Sequence, residues 1–314
     1  MPYRLTLIFT WFLLFPQFAR SQNCCAPAVP QQGVLGETVA LPYTLELGMH
    51  FEYLRSDGLY EGADQIDDPS DMQTTWKRIT LTAAYGLFSQ FSISAIMPFI
   101  YKEKTRELAG DIEFKNTSEG FGDLTIMGRY SIFPRDFVNF RELAVGLGVK
   151  IPTGSTDKRN FGLTLPQELQ PGTGSWDFNA SLSYYRGMEM FDFVLSGTYL
   201  VTTAYNDYKF GNQFSYLLSA NFHPLKRLDV TASLAGIVRG KDEENGHAVP
   251  TTGRHQLWLS PGVQITLIPD YLRLQIYYEA PLYQHFNGEQ LGSDFNLRLS
   301  LAGLVPLKNT EEEL

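Results

Sequence analysis

From Leu45 almost to its end, the chain alternates apolar residues with polar or small ones at a period of two. Leu143, Val145, Leu147, Val149 and Ile151 alternate with Ala144, Gly146, Gly148 and Lys150. Leu272, Leu274, Ile276 and Tyr278 alternate with Arg273, Gln275, Tyr277 and Glu279, and residues 228–235 and 295–302 repeat the pattern. Successive side chains of a strand point to opposite faces, so each segment has one apolar face and one polar or small face. No helical periodicity of any length interrupts them. A helix needs about 20 apolar residues to cross hydrocarbon, and no segment after residue 21 offers that. A chain of this kind can enter a membrane only as a closed barrel, because only helices and closed barrels satisfy every backbone group there.

Strands are expected near residues 43–55, 74–88, 91–101, 122–133, 140–152, 174–186, 191–203, 213–222, 228–239, 255–267, 271–281 and 294–305. The links alternate in length. Residues 89–90, 134–139, 187–190, 223–227 and 268–270 are short connections, whereas 56–73, 102–121, 153–173 and 240–254 are long. Short turns at one end and long loops at the other are the outer-membrane pattern, and an even strand count returns both termini to the periplasmic side. Aromatics gather toward strand ends, as at Tyr85, Phe88, Phe99, Tyr101, Phe133, Phe140, Tyr271 and Tyr277, where amphipathic rings favour the membrane interface. A soluble two-sheet sandwich would leave the loop asymmetry unexplained. The expected fold is therefore all-β, a single transmembrane antiparallel up-and-down barrel of about 12 strands over residues 43–306.

Residues 1–21 read as a secretory signal. Arg4 gives a positive start, residues 5–15 are almost all apolar, and Ala19-Arg20-Ser21 offers small residues at the cleavage positions. Residues 22–42 would then be a periplasmic N-terminal segment, and 307–314 a polar tail following the last strand. The two cysteines, Cys24 and Cys25, are adjacent, which excludes a disulfide framework for the fold. They could serve as a mobile thiol pair, a neighbour disulfide or a metal-capturing pair. A net charge of −9 gives no electrostatic footprint for nucleic acid.

No motif for nucleophilic or metal-assisted catalysis is present. The five histidines, His50, His223, His247, His255 and His285, are not at metal-ligand spacing. A Ser–His hydrolase on the barrel wall stays open as an alternative, but no enzyme activity and no cofactor are expected. The acidic residues of the first long loop, Asp57, Glu61, Asp64, Asp67, Asp68 and Asp71, do not match a calcium loop and read as solvated surface. The inner face is more informative. Strand parity turns Glu46, His50 and Glu52 inward on the first strand, Arg298 on the last, and Arg273 and Glu279 on the one before it. The first and last strands must pair to close a barrel, so these residues are expected to form an ion-pair network across the seam. Inside a barrel such charges can pair or meet water. Gly146 and Gly148 are expected to line the lumen and leave room in it. Filling of the lumen by residues 22–41 or by an inward-folded loop is the alternative.

Three Gly-rich blocks carry a resemblance. Gly120-Phe121-Gly122-Asp123-Leu124, then Gly146-Leu147-Gly148-Val149-Lys150-Ile151-Pro152-Thr153-Gly154, then Gln170-Pro171-Gly172-Thr173-Gly174-Ser175-Trp176-Asp177 follow one another at fixed intervals. Their succession resembles the family of outer-membrane transporters named for the MetA pathway of phenol degradation, from about residue 43 onward. The resemblance implies a barrel related to channels for hydrophobic compounds, set in the bacterial outer membrane. Membrane lipid, a small-molecule solute and the outer-membrane assembly machinery would be its partners, with the oligomeric state open. A structural or partner-binding barrel without transport is the second reading. The blocks themselves read as structural, since proline ends a strand ladder and glycine permits the turns, with Trp176 placed as an interface anchor. The chain departs from the usual pattern in running past its last strand into Lys308-Asn309-Thr310-Glu311-Glu312-Glu313-Leu314 rather than ending on an aromatic residue.

Overall fold

The computed structural model describes residues 38–108, 112–136 and 141–307. The signal segment, Cys24, Cys25 and residues 308–314 lie outside the described residues. Twelve strands form the wall: β1 Thr44–Ser56, β2 Gln73–Phe88, β3 Phe91–Leu108, β4 Leu124–Asp136, β5 Arg141–Ile151, β6 Asp177–Gly187, β7 Phe191–Val201, β8 Gln213–Leu225, β9 Leu228–Arg239, β10 Arg254–Ile268, β11 Leu272–Gly292 and β12 Phe295–Pro306. Each pairs antiparallel with its sequence neighbours, and β12 returns to β1, so the ring closes. Closure removes the open edge that would otherwise leave unpaired N–H and C=O groups in lipid.

The period-two pattern sorts the side chains. On β1, Leu47, Met49 and Phe51 face outward and are exposed, while Glu46, His50 and Glu52 face inward and are buried. On β12, Leu297 and Leu299 are outward, and Asn296, Arg298 and Ser300 inward. Exposed rings gather near both ends of the apolar belt. Tyr43, Phe88, Phe133, Phe191 and Tyr271 lie at the short-turn end, and Phe99, Phe121, Trp176 and Phe178 at the other. Such girdles belong at the two membrane–water interfaces.

The long-loop end is built from strands that overrun the wall. β3 continues to Leu108 and pairs with a returning segment, Ile112–Phe121, from Phe99 opposite Phe121 to Leu108 opposite Ile112. The loops after β7 and β9 share a small sheet made of Ala204–Tyr205, Tyr208–Lys209, Glu243–Glu244 and His247–Ala248. β11 runs to Gly292, well past its expected end at Pro281, and pairs with Gly58–Gly62. Proline lacks an N–H, which suggests a strand end. Here Pro281 sits at a bulge: Trp258 pairs with Pro281 and Leu257 with Tyr283, so Leu282 is skipped and the ladder resumes.

Leu299 lies mid-wall, opposite Phe51 and Ile276. Replacing it with lysine should destabilise the membrane-inserted barrel by about 2–4 kcal/mol. Reversible urea unfolding in lipid vesicles would measure this; an unchanged midpoint would contradict the outward placement.

Candidate functional site: the barrel interior

The interior is organised as a charged brace in mid-wall, a clasp at the long-loop end and a crossing segment at the short-turn end. The brace forms where β11, β12, β1 and β2 lie side by side. Glu52 stands opposite Arg298 on β12 and opposite Arg78 on β2. It forms ion pairs with both, with Arg298 Nε at 3.3 Å from Glu52 Oε1. Arg298 also reaches Glu279 at 2.5 Å, and Asn296 Nδ2 donates to the other Glu279 oxygen at 2.6 Å. His50 bonds Ser300 at 2.9 Å and Thr82 at 3.3 Å, a layer nearer the short-turn end. Two carboxylates thus meet two guanidinium groups, all shut away from water or nearly so. Removing one member of such a cluster strands the rest.

Of the inward charges expected from sequence, Glu52, Glu279 and Arg298 meet in this brace. Glu46 is buried nearer the short-turn end, opposite Leu304 and Ala84. Arg273 lies opposite Ala302 and Thr266 and joins none of these ion pairs. Sequence reasoning missed Arg78, although it shares Glu52's inward parity on the adjoining strand. Gly146 and Gly148 lie on the inner face of β5, but the room beside them is taken by β6. A Cβ on Gly146 would fall 2.4 Å from Ser181 Oγ, and one on Gly148 would fall 2.4 Å from Asn179 Oδ1.

At the long-loop end the three Gly-rich blocks converge. Lys150 Nζ lies 2.5 Å from Asp177 and 3.3 Å from Asp123. Asp123 accepts from the Gly154 N–H at 3.0 Å, and from the Thr173 N–H and hydroxyl at 2.9 and 2.8 Å. Asp177 accepts from Ser175 Oγ at 2.9 Å and the Thr203 N–H at 3.0 Å. Gly154 and Gly172 touch backbone to backbone; a Cβ on Gly154 would sit 2.6 Å from the Gly172 Cα. The clasp pins both ends of the loop between β5 and β6. The loop's later half is held to the wall by Lys102 on β3, whose ammonium lies 4.4 Å from the Trp76 ring centre. The Lys102 ammonium donates to the carbonyls of Glu168 at 2.9 Å and Gln170 at 2.6 Å. Burial raises the Glu168 carboxyl above its usual range, against the pull of Lys104.

At the short-turn end, residues leading into β1 cross the inside of the ring. The Val39 N–H donates to the inward Glu142 carboxylate on β5 at 2.7 Å. The Ala40 and Leu41 carbonyls pass so close to Gly86 that a Cβ there would lie 2.1 Å from the Leu41 oxygen. Among the described residues, no group of three or more His, Cys, Asp or Glu side chains is placed to hold a metal ion.

Arg298→Met should destabilise the barrel by about 3–5 kcal/mol, because it leaves buried carboxylates without their counter-charge. Arg273→Met should change stability little; equal losses in a thermal unfolding comparison would contradict the brace. A pH effect is expected at the outer end of the seam. Burial and the neighbouring Asp57 raise the Asp294 carboxyl from 3.8 to about 7. Its protonated form is thus favoured in the fold, so its stabilising contribution is full below the unfolded value and is lost as pH rises through about 7. Exchange of the Asp294 amide, which donates to the Arg55 carbonyl at 2.9 Å, should quicken across that range beyond the intrinsic rise, and Asp294→Asn should remove the excess.

Residues 72–295 match the family described as "MetA-pathway of phenol degradation". Among solved structures, the chain is similar to an outer-membrane channel from Pseudomonas putida F1, with 13% identity and a TM-score of 0.69 over 88% of this chain and 99% of that one. CymD, a monoaromatic hydrocarbon channel, matches with 11% identity and a TM-score of 0.44 over 84% of this chain and 89% of that one. No curated protein sequence matches. The Pseudomonas putida likeness shows the fold of a bacterial outer-membrane β-barrel. The family match spans most of the chain and contains all three Gly-rich blocks of the clasp, so the chain belongs to the MetA-pathway of phenol degradation family.

Proposed function

We propose that this barrel is an outer-membrane channel for small hydrophobic or aromatic molecules, with no catalytic step. The observation that carries the reading is an inner wall that is only partly filled. Inward residues of β3, β6 and β7, among them Ile96, Pro98, Ile100, Ser181 and Thr198, keep accessible surface inside a closed ring. Packed interiors leave few voids larger than a water molecule, so accessible surface there marks space for a guest. The family's link to phenol degradation supports an aromatic solute.

In this reading Glu52, Glu279 and Arg298 brace the wall, Glu46, His50 and Arg273 add polar groups to its inner face outside the brace, and Gly146 and Gly148 let β5 and β6 lie close. Membrane lipid is the partner of the outer belt, and the outer-membrane assembly machinery is inferred to insert the chain. Vesicles with lipopolysaccharide in the outer leaflet retard apolar solutes, so they suit the test. Purified barrel in them should raise phenol uptake at least several-fold over vesicles without protein. Equal rates, with the protein shown to be inserted and folded, would sink the proposal.

A further inference from the structure

The lumen wall has two unlike halves. From β8 round through β12 and β1 to β2, inward side chains are mostly packed or bonded to one another. Leu217, Ala235, Ile237, Trp258 and Ser260 are at most 1% exposed. Hydroxyls on this side commonly have partners: Ser233 donates to Ser219 at 2.8 Å, Thr231 to Asn221 at 2.7 Å, and Ser300 meets His50 at 2.9 Å. Some polar atoms here lack a partner, among them Thr80 Oγ1 and Ser260 Oγ, but both residues are at most 2% exposed, so a solute has no room to reach them.

The half from β3 to β7 differs in leaving its inward groups accessible. On β3, Ile96, Pro98 and Ile100 succeed one another inward, opposite Thr82, Thr80 and Arg78, and all three stay half-buried. Three and four strands further round, Ser181 on β6 stands opposite Thr198 on β7, and Ser196 follows along the same inward row. These three hydroxyls are half-buried and have no hydrogen-bond partner among the described residues. Beside them on β6, Asn179 is nine-tenths buried, and its Oδ1, leaning over Gly148, is also unpartnered. A polar group left unpaired away from bulk water is costly, so such groups favour a guest or water that can bond them.

We propose that solutes pass off-axis, between an apolar rail formed by Ile96, Pro98 and Ile100 and a hydroxyl rail formed by Ser181, Ser196 and Thr198. The arrangement selects small molecules with a flat apolar body and one hydrogen-bonding group, such as a phenolic hydroxyl. This inference rests on the channel reading and adds its route and its solute class.

The test compares phenol with toluene in lipopolysaccharide-faced vesicles, using the full barrel and its variants. Replacing the hydroxyl rail (Ser181→Ala, Ser196→Ala and Thr198→Val together) should slow phenol about fivefold or more while leaving toluene within about twofold, as loss of one or two net hydrogen bonds implies. Single replacements should show the same selectivity at about twofold, which covers a triple variant that fails to fold. Ile96→Ser with Ile100→Ser should slow both solutes, and Ser219→Ala with Ser233→Ala on the packed half should slow neither. Equal slowing of phenol and toluene by the hydroxyl variants, or no slowing at all, in barrels whose folded form is verified by gel mobility before and after heating, would overturn the two-rail route and leave the channel intact. A wild-type barrel that passes neither solute would overturn the channel reading and this inference together.

Discussion

Twelve residue pairs join β1 to β12, from Thr44 opposite Pro306 to Arg55 opposite Phe295, and this ladder turns a sheet into a ring. In hydrocarbon an unpaired backbone group costs several kcal/mol, so a sheet with two free edges could not remain there. The same ladder places Glu52 against Arg298 and His50 against Ser300. Backbone closure and side-chain bracing are therefore set by one register. A slip of a single residue would turn the acids and arginines toward lipid and the leucines toward the brace. The register is thus fixed from both faces at once.

Given the ring, the interior has to settle its polar groups without bulk water. It does so unevenly. Where β11, β12, β1 and β2 meet, two acids and two guanidinium groups neutralise one another. At the long-loop end a lysine between two aspartates ties three distant stretches of chain together. Elsewhere single atoms such as Thr80 Oγ1 and Ser260 Oγ stay unpartnered but buried, whereas between β3 and β7 the hydroxyls stay accessible beside an apolar strip. A wall fully satisfied everywhere would be sturdier and would have no use for a guest.

Much of this was legible in the sequence, for a simple reason. A two-residue period survives any change of partner strand, so strand identity and inward parity follow from local composition alone. Parity placed Glu52, Glu279 and Arg298 inside, and the need to close the ring put the first next to the last. What depended on a third strand was not legible. Arg78 belongs to the brace because β2 flanks β1 on the other side, and Arg273 stays apart from it because it sits two inward positions below Tyr277, the residue facing Arg298. The glycines of β5 looked like room in the lumen; they are small because Ser181 and Asn179 lean over them. Pro281 looked like a strand end because a bulge cannot be recognised without its partner. The clasp could not be read either. Its glycine blocks were visible as motifs, but the charges that join them are spaced along more than 50 residues, from Asp123 to Asp177, and meet only when β4, β5 and β6 lie side by side.

The contact between Gly154 and Gly172 separates two jobs that a single wall would otherwise share. Because the backbones touch there, the stretch between them leaves the rim and comes back to it at nearly the same spot, like a handle riveted to a bucket. Its tip can be lengthened, shortened or recoloured without asking any strand below to move, provided the two rivets keep their bare hydrogens and Lys102 keeps its hold on the Glu168 and Gln170 carbonyls. What greets a molecule outside is thus a replaceable fitting, and the pipe beneath it is not.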